Sequence, residues 1–296
     1  MGMHGAIARL PDGQLDPLRD AHRAAVAARR RRTLVGSAIL LAAVLVAGGV
    51  AEIDLRRVAE NIHRLPDYVA RIFTLDDGRP VWRDPAEWMW GVGYWTRLLG
   101  ETVLIAYLGT ATGAVLGFFL CFFASANLAP GGWTRVASRR CLEFCRTVPE
   151  LVFALLFVQA FGLGPLPGVL AISIHTAGAL GKLFAEVVEN IDMRPVEGAK
   201  SCGASWSQAI RYAVMPQVAS NLASYALLRF EINVRGAAVM GFVGAGGIGQ
   251  DLIEAIRKFY YPDVSAMLVL IILCVTAIDL ATERLRHRLL GWEHQR

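Results

Sequence analysis

Six stretches of this chain, at about 33–50, 101–126, 148–163, 166–188, 215–235 and 264–282, are long, apolar and poor in Asp, Glu, Lys and Arg. A helix that spans a bilayer needs about 20 mostly apolar residues, so the expected fold is all-α, a polytopic membrane protein of about six transmembrane helices. Composition agrees, with 55% hydrophobic residues against 19% charged, where soluble chains carry about 25% charged. Disorder, a secreted disulfide scaffold and a cytosolic dinucleotide enzyme are poor fits to such a chain.

The formal net charge of +5 reads as basic residues retained in cytoplasmic loops, so no nucleic-acid partner is implied. The five cysteines, at 121, 141, 145, 202 and 274, form neither C-x-x-C pairs nor zinc-spaced clusters, and no metal site is expected. Arg29, Arg30, Arg31 and Arg32 precede the first stretch. A leader of that length without a small-residue cleavage site reads as an uncleaved anchor. Segment 1–32 is then cytoplasmic and 33–50 the anchor. Basic residues in 125–147, 189–212 and 284–296 place these segments in the cytoplasm as well, which leaves 51–100 outside and both termini inside. Segment 51–100 balances seven arginines with eight acids, and it carries Trp82, Trp88, Trp90, Trp95 and Tyr94, rings that suit the headgroup region. Segment 101–283 is the expected core, in a plasma (inner) membrane.

The loop at 194–212 has its own punctuation. Pro195 suits a first helical turn, Glu197 complements the positive end of that helix, and Gly203 can end it at positive φ. Ser205 and Gln208 then have capping-box spacing for a second short helix, and Pro216 marks the entry of the next span. Further on, Gly244, Gly246 and Gly249 satisfy G-x-G-x-x-G, but they follow a membrane stretch rather than a strand, so nucleotide binding is not implied. Gly244, Gly246, Gly247 and Gly249 suit instead a re-entrant turn or close backbone packing beside a pore.

The 194–212 loop resembles the EAA motif of ABC-importer permeases. Glu197, Ala199, Gly203 and Pro216 stand at the matching positions, while Gly198, Ala213 and Met215 depart mildly from the commonest letters. VGAGGIG is similar to a segment of phosphonate and methionine importer permeases. Residues 95–288, including RTVPELVFALLF, PVEGAK and RFEINVR, resemble the membrane subunit of a phosphonate importer. The resemblance implies a type I importer permease whose Glu197, Gly198, Ala199, Gly203, Ala204 and Pro216 meet a separate ATPase. In such an assembly two permease copies sit in membrane lipid and pair with two ATPase subunits. ATP and Mg belong to the ATPase, no cofactor belongs to the permease, and an extracytoplasmic binding protein delivers the cargo.

Ionisable residues at membrane depth are functional candidates by default. Arg229, Glu231, Arg235 and His175 qualify, as donors along an anion path or as a structural pair with a helix-bonding histidine. The chain has no H-E-x-x-H, G-x-S-x-G or Walker A motif, so no catalytic residue is expected. Gly249 and Asp251 miss the G-x-G-D spacing of intramembrane aspartyl proteases. Open alternatives are phosphate, phosphite or methionine as cargo, and a passive anion channel.

Overall fold

The computed structural model describes residues 12–51 and 54–291. These residues are helical, with short turns and one isolated bridge between Thr74 and Pro80. They fall into two units, 1–67 and 68–296. Parts of the expected cytoplasmic segments, 1–11 and 292–296, lie outside the described residues.

The first unit contains α1 (Asp12–Val50) and α2 (Leu55–Asn61). Helix α1 starts about 20 residues before the expected anchor and runs straight through Arg29–Arg32. The alanines and arginines ahead of the apolar stretch are strong helix formers, with no glycine or proline among residues 18–32, so nothing there ends the helix. Its Asp20–Val50 portion is long and apolar enough to cross a membrane, with mean hydropathy 2.3. Asp54 caps α2 by accepting the N–H groups of Arg56 and Arg57 at 3.0 and 3.2 Å.

Helix α3 (Arg64–Ile72) spans the division, and the second unit continues with α4 (Pro85–Trp88), α5 (Val92–Ala124), α6 (Gly132–Thr147) and α7 (Glu150–Phe161). Then come α8 (Pro165–Glu189), α9 (Arg194–Ser201), α10 (Trp206–Ala209), α11 (Met215–Met240), α12 (Ile248–Arg257) and α13 (Tyr261–Gly291). Helices α5, α8 and α13 are long and apolar enough to cross a membrane, and α11 with α12 passes the same test together across a bend of 48°.

The stretch expected at 148–163 behaves differently. Helix α7 has 12 residues, about 18 Å, against a hydrocarbon core of about 30 Å. Much of the expected cytoplasmic loop before it is helix α6, whose last turn packs on the middle of α8. A Cβ on Gly178 would lie 2.6 Å from Arg146 N and 2.7 Å from Leu142 O. Helices α6 and α7 are thus separate, with a break at Val148 and Pro149. Proline disfavours helical geometry in the residue before it, and Val148 accordingly turns extended at ψ 124°.

Helix α5 packs on α8 through Gly109, Gly113 and Gly117, one glycine per turn on a single face. Lipid offers no hydrophobic drive for helices to associate, so contact depends on backbones that approach closely. A Cβ on Gly117 would meet Gly181 N at 2.9 Å, and one on Gly113 would meet Ser173 O at 2.7 Å. At the far end from α9, Trp95 is buried, and Trp88 Nε1 donates to Ser265 Oγ at 2.9 Å. Trp90 Nε1 donates to Asp263 Oδ1 at 2.9 Å, so these indoles hold the first turns of α13. Of the four tryptophans in 51–100, Trp82 and Trp90 are exposed.

Gly113→Ala is expected to destabilise the detergent-solubilised protein by about 1–3 kcal/mol, as overpacking does. Gly100→Ala, in the same helix with nothing within 4 Å of its Cβ position, should be neutral or stabilising by up to about 1 kcal/mol. Thermal unfolding midpoints of the two variants check the contrast.

Candidate functional site

Helix α9 begins with Pro195 in its first turn, preceded by Asp192, whose Oδ1 accepts Arg194 N–H at 3.0 Å. It ends in a Schellman motif. Ala204 N–H donates to Ala199 O at 3.1 Å and Gly203 N–H to Lys200 O at 2.9 Å, with Gly203 at φ +82°. Helix α10 follows at once, and Ser205 N–H donates to Gln208 Oε1 at 2.8 Å, the back-reaching half of a capping box. Both signals read from the sequence are therefore realised in the backbone.

The two short helices form a knob seated on the bundle. Val196, Ala209 and Val214 are buried in one apolar cluster with Phe184 and Val188 of α8. Trp206 donates to Leu128 O at 2.8 Å, and Gln217 Oε1 accepts Asp192 N–H at 3.0 Å. Glu189 binds Arg139 and accepts Ala126 N–H at 2.6 Å, which ties α8 to the α5–α6 connection beneath the knob. Glu197, Gly198 and Gly203 remain exposed, Ala199 and Ala204 half-buried. A π-turn at Ile210–Val214 joins the knob to α11, and Pro216 sits in the first turn of α11. Proline has no N–H for the carbonyl four residues back, and the wider turn absorbs that missing bond.

At the other end of α11, Gly244, Gly246 and Gly247 all have φ near +80° and turn the chain into α12. The turn is buried against α5 and the α7–α8 connection. Ile248 N–H donates to Thr102 Oγ1 at 2.9 Å and Gly164 N–H to Gly244 O at 3.0 Å, while Gly249 touches the backbone at Ala238 so closely that no side chain fits. Bend and close packing occur together here.

Between these ends lies an ionic layer. Arg229 is about 21 Å along α11 and His175 about 15 Å along α8 at 1.5 Å per residue. Arg229 Nη2 stands 2.5 Å from His175 Nδ1. A guanidinium only donates, so Nδ1 accepts, and His175 is the neutral tautomer protonated at Nε2. Glu150, the first residue of α7, places Oε2 3.8 Å from Arg229 Nη2 and 3.6 Å from His175 Nδ1. One turn further on, Asn233 Nδ2 donates to Thr110 Oγ1 at 2.8 Å and to Thr176 Oγ1 at 2.9 Å. The layer thus joins α5, α7, α8 and α11.

Arg229 and His175 are brought together as sequence candidates, but Glu231 and Arg235 are not brought to them. At 100° per residue these two lie about 200° and 240° round α11 from Arg229, and they pair with each other at 2.7 Å. Sequence reasoning missed Glu150 and Asn233. Asn233 was detectable as a polar residue four positions from Arg229 on the same helical face. Glu150 reads locally as an acid that complements a helix N-terminus, and nothing local pairs it with α11. Among the described residues no group of three His, Cys, Asp or Glu side chains is placed to hold a metal.

The bundle thus combines long apolar helices, a knob seated on its core and an ion pair near the middle of α11. Residues 113–290 match the family described as binding-protein-dependent transport system inner membrane component. The match covers more than half of the chain, and the chain belongs to that family, a permease of ABC importers in the inner membrane. It is 35% identical over 268 residues to the putative phosphite transport system permease protein HtxC of Stutzerimonas stutzeri, covering 90% of this chain and 91% of that one. It is 52% identical over 117 residues to the putative cryptic phosphonate transport system permease protein PhnE2 of Escherichia coli (strain K12), covering 40% of this chain and 96% of that one. Among solved structures, a chain of the inward-facing MetNI methionine ABC transporter superposes with TM-score 0.57 at 18% identity, covering 70% of this chain and 98% of that one. That likeness concerns the fold alone. Membership implies an ATPase and a substrate-binding protein as partners.

Gly203→Ala forces a Cβ into the left-handed region at roughly 1–2 kcal/mol, and amide exchange across 194–208 should quicken about fivefold or more. Gly198→Ala, mid-helix with open space around it, should slow exchange in the same segment.

Proposed function

We propose that this chain is the membrane-spanning subunit of an ATP-driven importer for phosphonate or a related phosphorus oxyanion, driven through the 194–212 knob by a separate ATPase. The observation that carries the coupling role is the knob itself. Two helices, stopped and restarted at Gly203, rest on the bundle core and leave Glu197 outward. A rigid projection of this kind transmits displacement, whereas an unstructured connector would absorb it. In this reading Glu197, Gly198, Ala199, Gly203, Ala204 and Pro216 meet or position the ATPase, which uses ATP and Mg. Knob and both termini then face the cytoplasm.

The cargo assignment rests on relatives named for phosphite and phosphonate transport and on the donors at mid-depth. A guanidinium matches tetrahedral oxyanions in a way that an ammonium does not. Side chains of Glu150, His175 and Arg229 are 25, 19 and 14% exposed, and charge at this depth cannot face lipid at small cost. The exposed side of the layer therefore borders protein or a water-filled path, which supports a second permease copy with the path between the two. Arg235, half-exposed and paired with Glu231, stands on another face of α11 under the same constraint. The glycine turn at Gly244–Gly249 keeps the backbone close-packed beside that path. Phosphate is the nearest alternative cargo. A passive anion channel is disfavoured by membership of a binding-protein-dependent family.

The test is uptake of methylphosphonate into liposomes holding the permease, its ATPase and the binding protein. Glu197→Lys and Arg229→Gln are each expected to lower ATP-driven uptake at least tenfold, the first by breaking coupling and the second by removing a path donor. Anion entry without the ATPase, or normal uptake in both variants, would contradict the reading.

A further inference from the structure

The donor count at Arg229 is incomplete. A guanidinium carries five N–H donors. One engages His175 Nδ1 at 2.5 Å, and another reaches Thr176 Oγ1 at the long distance of 3.5 Å. Glu150 stands at 3.8 Å, within ion-pair range but beyond a hydrogen bond, and it is not bidentate. Glu150 therefore balances the charge of Arg229 without using up its fork. His175 adds nothing to that balance, because its Nδ1 lone pair points at the guanidinium.

The position of Glu150 is equally specific. It follows the break at Val148 and Pro149, in the first turn of α7, and Gly236 of α11 gives it room, since a Cβ there would lie 2.7 Å from Glu150 Oε1. A side chain at 236 would have to displace the carboxylate. The carboxylate thus sits at a hinge between helices, close to the guanidinium, and it carries the same charge sign as the cargo.

We propose that Glu150 is the permease's built-in competitor for the oxyanion: it neutralises Arg229 when no anion is there, and it must yield when a phosphorus oxyanion passes and retake Arg229 to expel it. This rests on the reading of Arg229 as a path residue. A carboxylate in this place keeps the site from becoming a trap. An unopposed arginine beside a neutral histidine at membrane depth would hold a dianion too long for turnover, since conduction requires binding weak enough to release.

The experiment uses the assembled permease–ATPase complex in detergent for equilibrium binding of labelled methylphosphonate, and the liposome system for uptake. Glu150→Gln, nearly isosteric, is expected to bind methylphosphonate at least tenfold more tightly while uptake falls at least fivefold. Glu150→Asp, which keeps the charge on a shorter arm, should shift both in the same direction by two- to threefold and keeps the test open where the first variant does not assemble. Unchanged affinity in the variants that assemble, or affinity lost as in Arg229→Gln, would overturn the proposal. A purely structural role predicts that loss, because a misplaced guanidinium binds worse. If Arg229→Gln transports normally, the path reading itself fails. If Arg229→Gln is defective while binding and uptake are normal in the Glu150 variants, only the competitor role fails.

Discussion

A guanidinium just past the middle of a long apolar helix needs partners that lipid does not supply, and much of this bundle is arranged around that need. Arg229 draws its lone-pair acceptor from α8 and its counter-charge from α7, and one turn along the same helix Asn233 bonds Thr110 of α5 and Thr176 of α8, so four helices meet at this level. Removing one member of a buried charged pair leaves the other uncompensated, at a cost of several kcal/mol. The layer therefore specifies which faces of these helices look inward. Asn233 belongs to the same requirement: it lies one turn from Arg229 and bridges threonines of α5 and α8.

Polar side chains can converge only where backbones come close, and the glycines of α5 and α8 make this possible. Gly109, Gly113 and Gly117 bring α5 against α8 on either side of the level at which Thr110 and Thr176 share Asn233. Bulkier residues along that face would separate the helices and leave a buried amide without its hydroxyl partners. Packing and polar satisfaction thus constrain the same pair of helices, and neither is independent of the other.

What could be read from the sequence followed from local chemistry. The knob was legible because Pro195, Gly203, Ser205 and Gln208 each act within a few residues of chain, and the backbone adopts the φ values and caps that they specify. The glycine turn was legible for the same reason, through glycines at positive φ. The length of α1 was misread because basic residues mark a membrane boundary without ending a helix. The stretch expected at 148–163 is helical only from Glu150 to Phe161, between Pro149 and Gly162, and α6 escaped notice because its charges resemble those of a loop. Glu150 escaped notice for a deeper reason. Its partner is in another helix 79 residues later, and no local pattern encodes a tertiary ion pair.

One helix links the knob, the ionic layer and the glycine turn. Helix α11 is continuous from the π-turn that anchors the knob, through Arg229 and Asn233, to the glycine turn before α12. In the proposed coupling, a displacement of the knob would pass along this helix, about 21 Å to the guanidinium, rather than be lost in a loop. Glu150 stands on a different body, at the break between α6 and α7. Motion of α11 relative to that break changes the 3.8 Å separation directly. In the function proposed above, an event at the exposed face of Glu197 would alter how strongly Arg229 attracts an anion without any contact between the two sites, through the distance to the Glu150 carboxylate.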